Sequence, residues 1–138
     1  MSPYWVLNAL VANGNVCRGV FVTSQTYRVA QRTTSLYCAS KAALNQMMKV
    51  AARELAPKGW VLNAVAPGKI FDTKMSEMTD AQVNELRGWT QQQAEGYAQS
   101  LIPINRFTYK NEIAQVIFKT LEMPAYVCGS TVEAFGGL

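Results

Sequence analysis

Residues 60–68 read Trp-Val-Leu-Asn-Ala-Val-Ala-Pro-Gly. From Trp60 to Ala66 the run is almost wholly apolar, too short for a helix, and stopped by Pro67-Gly68. Such a run predicts a strand buried on both faces, as in the interior of a parallel sheet. Gly19 to Ser24 (GVFVTS) is a second run of the same kind. Between them, residues 35–56 form a long Ala-rich helical segment closed by Pro57-Lys58-Gly59. Strand, helix and strand in that order predict a parallel βαβ unit with a right-handed crossover.

The pattern extends outward from this unit. Residues 3–12 predict a short helix that stops at Asn13-Gly14. In residues 74–102, Thr79 followed by Gln82 has the form of a capping box, with Val83 and Leu86 as a weak apolar face behind it. Residues 109–122 carry Ile113, Val116, Ile117 and Leu121 on one helical stripe. A last strand is expected near residues 126–135. No repeat, biased segment or composition break interrupts the chain. The expected fold is one α/β domain over residues 1–138, a truncated Rossmann-like half-fold of about three parallel strands with flanking helices. So small a sheet has edges that need covering.

Composition narrows the chemistry. The chain has 138 residues, 49% hydrophobic and 16% charged, which is globular rather than disordered. Its net charge of +4 comes from scattered Lys and Arg with no run of like sign, so no nucleic-acid or lipid surface is indicated. There is no histidine, which removes Ser-His and Cys-His nucleophilic catalysis and the commonest neutral metal ligand. Cys17, Cys38 and Cys128 are odd in number and lack C-x-x-C spacing, and are expected as buried, reduced thiols; no metal site is predicted. The apolar stretch from Tyr4 to Ala12 is interrupted by Asn8 and too short to cross a bilayer. A soluble cytoplasmic protein is the expectation.

Tyr37-Cys38-Ala39-Ser40-Lys41 sets a phenol and an ammonium one helical turn apart. An unperturbed tyrosine titrates near ~10, and a cation held close favours its phenolate, so such a pair can give or take a proton. On spacing alone a purely structural pair is the commoner case. Ser24, however, is expected at the carboxyl end of a parallel strand, where open α/β sheets bind ligands. There its hydroxyl would polarise a carbonyl oxygen while Tyr37 moves the proton. The tight turn after Asn63-Ala64-Val65-Ala66-Pro67-Gly68 falls on the same rim.

In sequence order, Ser24, Tyr37-x-x-x-Lys41 with Ala-Ala-Leu after it, Asn-Ala-Val-Ala-Pro-Gly, a downstream Thr, Arg106, Asn-Glu-Ile-Ala at 111–114 and the closing Phe135-Gly136-Gly137 resemble the short-chain dehydrogenase/reductase family. The likeness runs from about residue 17 to the C-terminus. It implies an oxidoreductase acting on a carbonyl or alcohol with NAD(P). Tyr37 would be the general acid/base, Lys41 would lower its pKa and bind the nicotinamide ribose, and Ser24 would orient the substrate oxygen. Pro67, Gly68, Ile70 and Thr73 would line the nicotinamide end of the cofactor, although Thr73 stands one residue later than the family spacing. Residues 74–102 would be the variable lid, where Met75, Met78, Trp89 and Tyr97 suit either a small apolar substrate or packing onto the core. The family's dimers pair the helix that bears the tyrosine, and Ala39, Ala42, Ala43, Ala51 and Ala52 would let two copies approach closely in a homo-oligomer. Ala for helix propensity alone explains them equally well.

What the sequence lacks matters as much. It contains no Gly-x-x-x-Gly-x-Gly turn, no acidic residue placed after one, and no Asn-Asn-Ala-Gly segment. The pyrophosphate and adenosine contacts of the family are therefore unaccounted for, and weak or no dinucleotide binding is expected of a lone chain. Three readings follow. The chain is an oxidoreductase whose cofactor site is completed by oligomerisation or by another chain. Alternatively, it is a non-enzymatic, homo-oligomeric scaffold or binding protein of the same descent. Or it is a piece of a longer enzyme.

Overall fold

Three parallel strands in the order β1-β2-β3 carry the computed structural model, which describes residues 2–71 and 73–138. The central strand β2, Val61–Pro67, is buried along its whole length. β1, Arg18–Val22, pairs along one side of it from Arg18↔Val61 to Val22↔Val65. β3, Thr131–Ala134, pairs along the other from Ala64↔Thr131 to Pro67↔Ala134. The apolar run that opened the sequence reading is thus the axis of the sheet, and its lack of alternation reflects cover on both faces.

β1 departs from the expectation in two ways. It is half-buried at best, because β2 is its only neighbouring strand among the described residues. The strand also stops at Val22 rather than reaching Ser24. Thr23 makes the last ladder contacts, its N–H and hydroxyl both donating to Val65 C=O at 2.8 and 3.2 Å. Beyond it the chain turns.

The long helix α2, Ser35–Leu55, covers one face of the sheet. Met48, Ala51, Ala52 and Leu55 form its buried stripe and pack with Trp60, Leu62 and Ala64. Burying such side chains contributes roughly 1.5–3 kcal/mol for each large one. Ala51 and Ala52 are therefore consumed inside the chain, which corrects their grouping with Ala39 and Ala43 as surface for a second copy; only the latter two are exposed. Gly59, with φ +87°, reverses the chain into β2, a left-handed conformation that glycine adopts without a Cβ clash. The first helix α1, Pro3–Ala12, ends at Asn13 as expected and leans Leu7, Leu10 and Val11 on this core.

Neighbouring side chains on β3 point to opposite faces of the sheet. Thr131 donates to Asn45 Oδ1 of α2 at 3.0 Å. Val132, on the other side, lines a hollow of about 390 Å³ with Val116 and Thr120 of helix α5, Lys110–Glu122, and Met123 just after it. So α2 and α5 sandwich the sheet. Arg18 donates to Leu121 C=O and Met123 C=O at 3.1 and 2.6 Å, satisfying carbonyls that the end of α5 leaves unpaired.

At the other end of α5, both oxygens of Glu112 accept from Arg106 at 2.9 and 2.6 Å, and Oε2 also accepts from Tyr109 N–H. These contacts, led by the Arg106 hydrogen bonds, hold the Glu112 carboxyl at about 2, below its ordinary 4.5. A depressed carboxylate stabilises the fold above its unfolded value and loses that contribution as it is protonated. Stability should therefore fall as pH drops from 4.5 through about 2. Urea unfolding across that window should show a shallower loss in Glu112→Gln than in the parent, and identical slopes would refute the assignment.

Residues 74–102 form two helices, α3 at Lys74–Arg87 and α4 at Gln91–Ser100. The cap of α3 is Thr73, not Thr79. Thr73 Oγ1 accepts from Ser76 N–H at 3.2 Å, and Ser76 Oγ accepts from Thr73 N–H at 3.3 Å. This earlier box starts the helix first, so Thr79 falls mid-helix; the side chains of Thr79, Gln82 and Val83 lie outside the described residues. The cysteines are free thiols, half-buried rather than buried. Among the described residues no helix is long and apolar enough to cross a membrane.

Candidate active site

α2 begins over the carboxyl end of β1, and this placement assembles the predicted residues. Lys41 Nζ donates to Val22 C=O, the last residue of β1, at 3.4 Å and stands 5.7 Å from the centroid of the Tyr37 ring. Lys41 is half-buried, and desolvation lowers its pKa from the ordinary lysine value. Among the described residues the Tyr37 hydroxyl has no hydrogen-bond partner, so it is free to meet a ligand.

Ser24 comes two residues after β1 rather than on it. It caps a single 3-10 turn, Gln25–Tyr27, and its Oγ accepts from Thr26 N–H at 3.3 Å. Used as an acceptor there, the hydroxyl keeps its proton for donation. Ser24 thus follows the end of the strand that Lys41 reaches, and only Thr23 and Ser24 of the run read as strand lie beyond β1.

Pro67 and Gly68 reach the neighbouring end of β2. Gly68 donates to Ala134 C=O at 2.9 Å, and a Cβ on it would sit 2.9 Å from Phe135 Cβ, so only glycine permits this approach. Ile70 bridges to Thr108, and Phe71 donates to Thr108 C=O at 2.9 Å, so the loop is held as a short ladder. Thr73 is not on this rim in a free form. Its hydroxyl accepts from Ser76 N–H and lies 3.2 Å from Ser76 Oγ, spent on the cap of α3. Asp72 lies outside the described residues.

Two features bind this rim that the sequence did not announce. Gln25 Oε1 is buried without a partner among the described residues, 3.2 Å from the position a Gly68 Cβ would take. A buried acceptor left unpaired is costly, and it faces the seam between the Ser24 turn and the Gly68 loop. Lys69 Nζ meets both oxygens of Asp80 at 2.6 and 2.7 Å and lies 4.9 Å from the centroid of the Phe107 ring, tying the loop to α3. Trp89, between α3 and α4, and Tyr97 of α4 pack edge to face at 5.1 Å around the Arg87 guanidinium. That pair is occupied with itself. Met75 and Met78 are 65% and 68% exposed. Among the described residues no cluster of His, Cys, Asp or Glu offers a metal site.

The family profile described as Enoyl-(Acyl carrier protein) reductase matches residues 6–138. The chain belongs to the short-chain dehydrogenase/reductase family. Its curated relatives include 3-oxoacyl-[acyl-carrier-protein] reductase FabG of Staphylococcus aureus, 38% identical over 74% of this chain and 37% of the relative. FabG of Thermotoga maritima is 34% identical over 93% of this chain and 55% of the relative. Galactitol 2-dehydrogenase of Agrobacterium fabrum is 29% identical over 96% and 52%. A short chain dehydrogenase family protein from Francisella tularensis superposes with a TM-score of 0.85 at 24% identity, over 94% of this chain and 54% of that one. An NAD+-bound xylitol dehydrogenase gives 0.80 at 21%, over 96% and 52%. The chain of this short-chain dehydrogenase/reductase thus spans between about a third and about half of the length of these proteins.

Proposed function

We propose that this short-chain dehydrogenase/reductase interconverts a carbonyl and an alcohol on a small, largely apolar substrate, using NAD(P)(H) held in a site completed by a second copy or by another polypeptide segment. The observation that carries this reading is that Lys41 stands by the Tyr37 ring and reaches Val22 C=O, two residues before Ser24, with the Tyr37 hydroxyl unpaired among the described residues.

The residues fit the nicotinamide end of such a cofactor. Lys41 offers a half-buried ammonium, and Pro67, Gly68 and Ile70 offer a glycine-floored loop beside it. When bound, the dinucleotide supplies or accepts the hydride. In the reductive direction Ser24 donates a hydrogen bond to the substrate oxygen, and Tyr37 gives that oxygen its proton as negative charge builds there. Lys41 favours the resulting phenolate and donates to the ribose. Thr73 joins this set only if its cap with Ser76 opens.

The relatives' names span an acyl-carrier-protein substrate and a sugar alcohol, which supports carbonyl–alcohol chemistry in general and no one substrate. Titrating the purified native assembly with NADH and NADPH, alongside its mass, tests the reading. Saturable binding of at least one by an assembly larger than one chain is expected. Lys41→Met should weaken it tenfold or more, since a charge-assisted hydrogen bond contributes about 1.5–3 kcal/mol. An assembly that binds no oxidised or reduced dinucleotide overturns it.

A further inference from the structure

The turn that presents Ser24 is a weak structure on its own. It is a single 3-10 turn, and such turns are short because their hydrogen bonds are poorly aligned. Tyr27 N–H donates to Ser24 C=O at 3.0 Å, while Arg28 and Val29 N–H donate to Gln25 C=O at 3.1 and 2.9 Å. Inside it, Thr26 Oγ1 is buried and unpaired among the described residues, which works against the conformation. After it the chain runs irregularly to Ser35. Something outside the turn has to hold it.

Glu133 of β3 does so. Strand alternation puts it on the same face as Thr131, hence on the side of α2 and of the Ser24 turn. Its register partner is Ala66, near the carboxyl end of β2. One carboxylate oxygen accepts from the Tyr27 hydroxyl at 2.5 Å, and Arg28 Nη1 lies 2.7 and 2.8 Å from the two oxygens. Two consecutive residues of the turn are thereby fastened to the far edge strand of the sheet.

We propose that Glu133 is a positioning residue for Ser24, acting through Tyr27 and Arg28 on the turn that aims the serine hydroxyl. The proposal rests on the role given to Ser24 above. An exposed Arg–Glu pair by itself contributes little. Here the pair shares its carboxylate with a tyrosine hydroxyl, and the three groups act on one short turn. Charge-assisted hydrogen bonds are also about twice as strong as neutral ones.

Hydrogen exchange reads the turn directly. In Glu133→Ala the amides of Thr26, Tyr27, Arg28 and Val29 should exchange about tenfold faster or more, the loss of one charge-assisted contact, while β2 amides keep their protection. Reversing the pair, Arg28→Glu with Glu133→Arg, should restore much of that protection. Tyr27→Phe, which removes a single hydroxyl, should give a smaller increase and guards against a Glu133 variant that misfolds. Unchanged exchange in both Glu133→Ala and Tyr27→Phe refutes the clamp. In an assembly that turns over, Glu133→Ala should lower kcat about tenfold with KM nearly unchanged, the signature of an interaction made in the transition state. A loosened turn with full kcat refutes positioning. A parent assembly with no turnover defeats the proposed function instead, and exchange alone then decides the clamp.

Discussion

Tyr37→Phe is expected to lower kcat of the native assembly by about 10²–10⁴-fold, the usual contribution of a general acid/base. The substitution deletes one oxygen and leaves the ring in place beside Lys41. Because that oxygen has no hydrogen-bond partner among the described residues, unfolding should shift by no more than about 0.5 kcal/mol, as for surface changes away from special features. Loss of turnover at unchanged stability is what separates proton transfer from a packing role, the two uses that Tyr and Lys one turn apart leave open. Steady-state kinetics and thermal melts on the same preparations decide it. Retained turnover would mean that Tyr37 is not the proton donor.

Asn63→Ala should be the most damaging change to the fold. Asn63 is 1% exposed in the middle of β2, where its Nδ2 donates to Val127 C=O at 2.7 Å and its Oδ1 accepts from Ser130 N–H at 2.9 Å. The side chain thus folds the approach to β3 onto the central strand. Alanine removes both bonds, to the half-buried Val127 C=O and to Ser130 N–H, and opens a void at a fully buried position, roughly 3 kcal/mol in all. For a chain of this size that lowers the melting temperature by roughly 10 °C, which calorimetry resolves. A drop of a degree or two would show that water replaces the side chain. Asn63 is the first residue of the Asn-Ala-Val-Ala-Pro-Gly segment, and its work is structural.

The sheet was legible in the sequence wherever burial alone decides. Trp60–Ala66 read as a doubly covered strand because β2 is one, and the α2 boundaries followed from Ala-rich composition and Pro57-Lys58-Gly59. Where two short-range signals compete, the sequence misled. Thr79 with Gln82 has the better capping-box spelling, yet Thr73 with Ser76 forms the box, because the loop held against Thr108 delivers the chain to Thr73 in an extended conformation. Gly19 to Ser24 read as a buried strand through Ser24, but its cover depends on neighbours that residue types cannot report. Ser24, Tyr37 and Lys41 were readable as motifs. Tyr27, Arg28 and Glu133 were not, since a contact across |i−j| of 106 has no local signature.

The two helices at 74–102 enter from the end of β2 and leave toward α5, both anchored in the sheet sandwich. The chain between those anchors closes a loop, and closure entropy grows only with the logarithm of its length, about 0.6 kcal/mol for each doubling. Length and sequence there are therefore cheap to change. The strand β1 and the helix α2 that set out Ser24, Tyr37 and Lys41 need not alter when those two helices do. The proposed centre would thus be open to refitting to different molecules by exchange of that excursion alone.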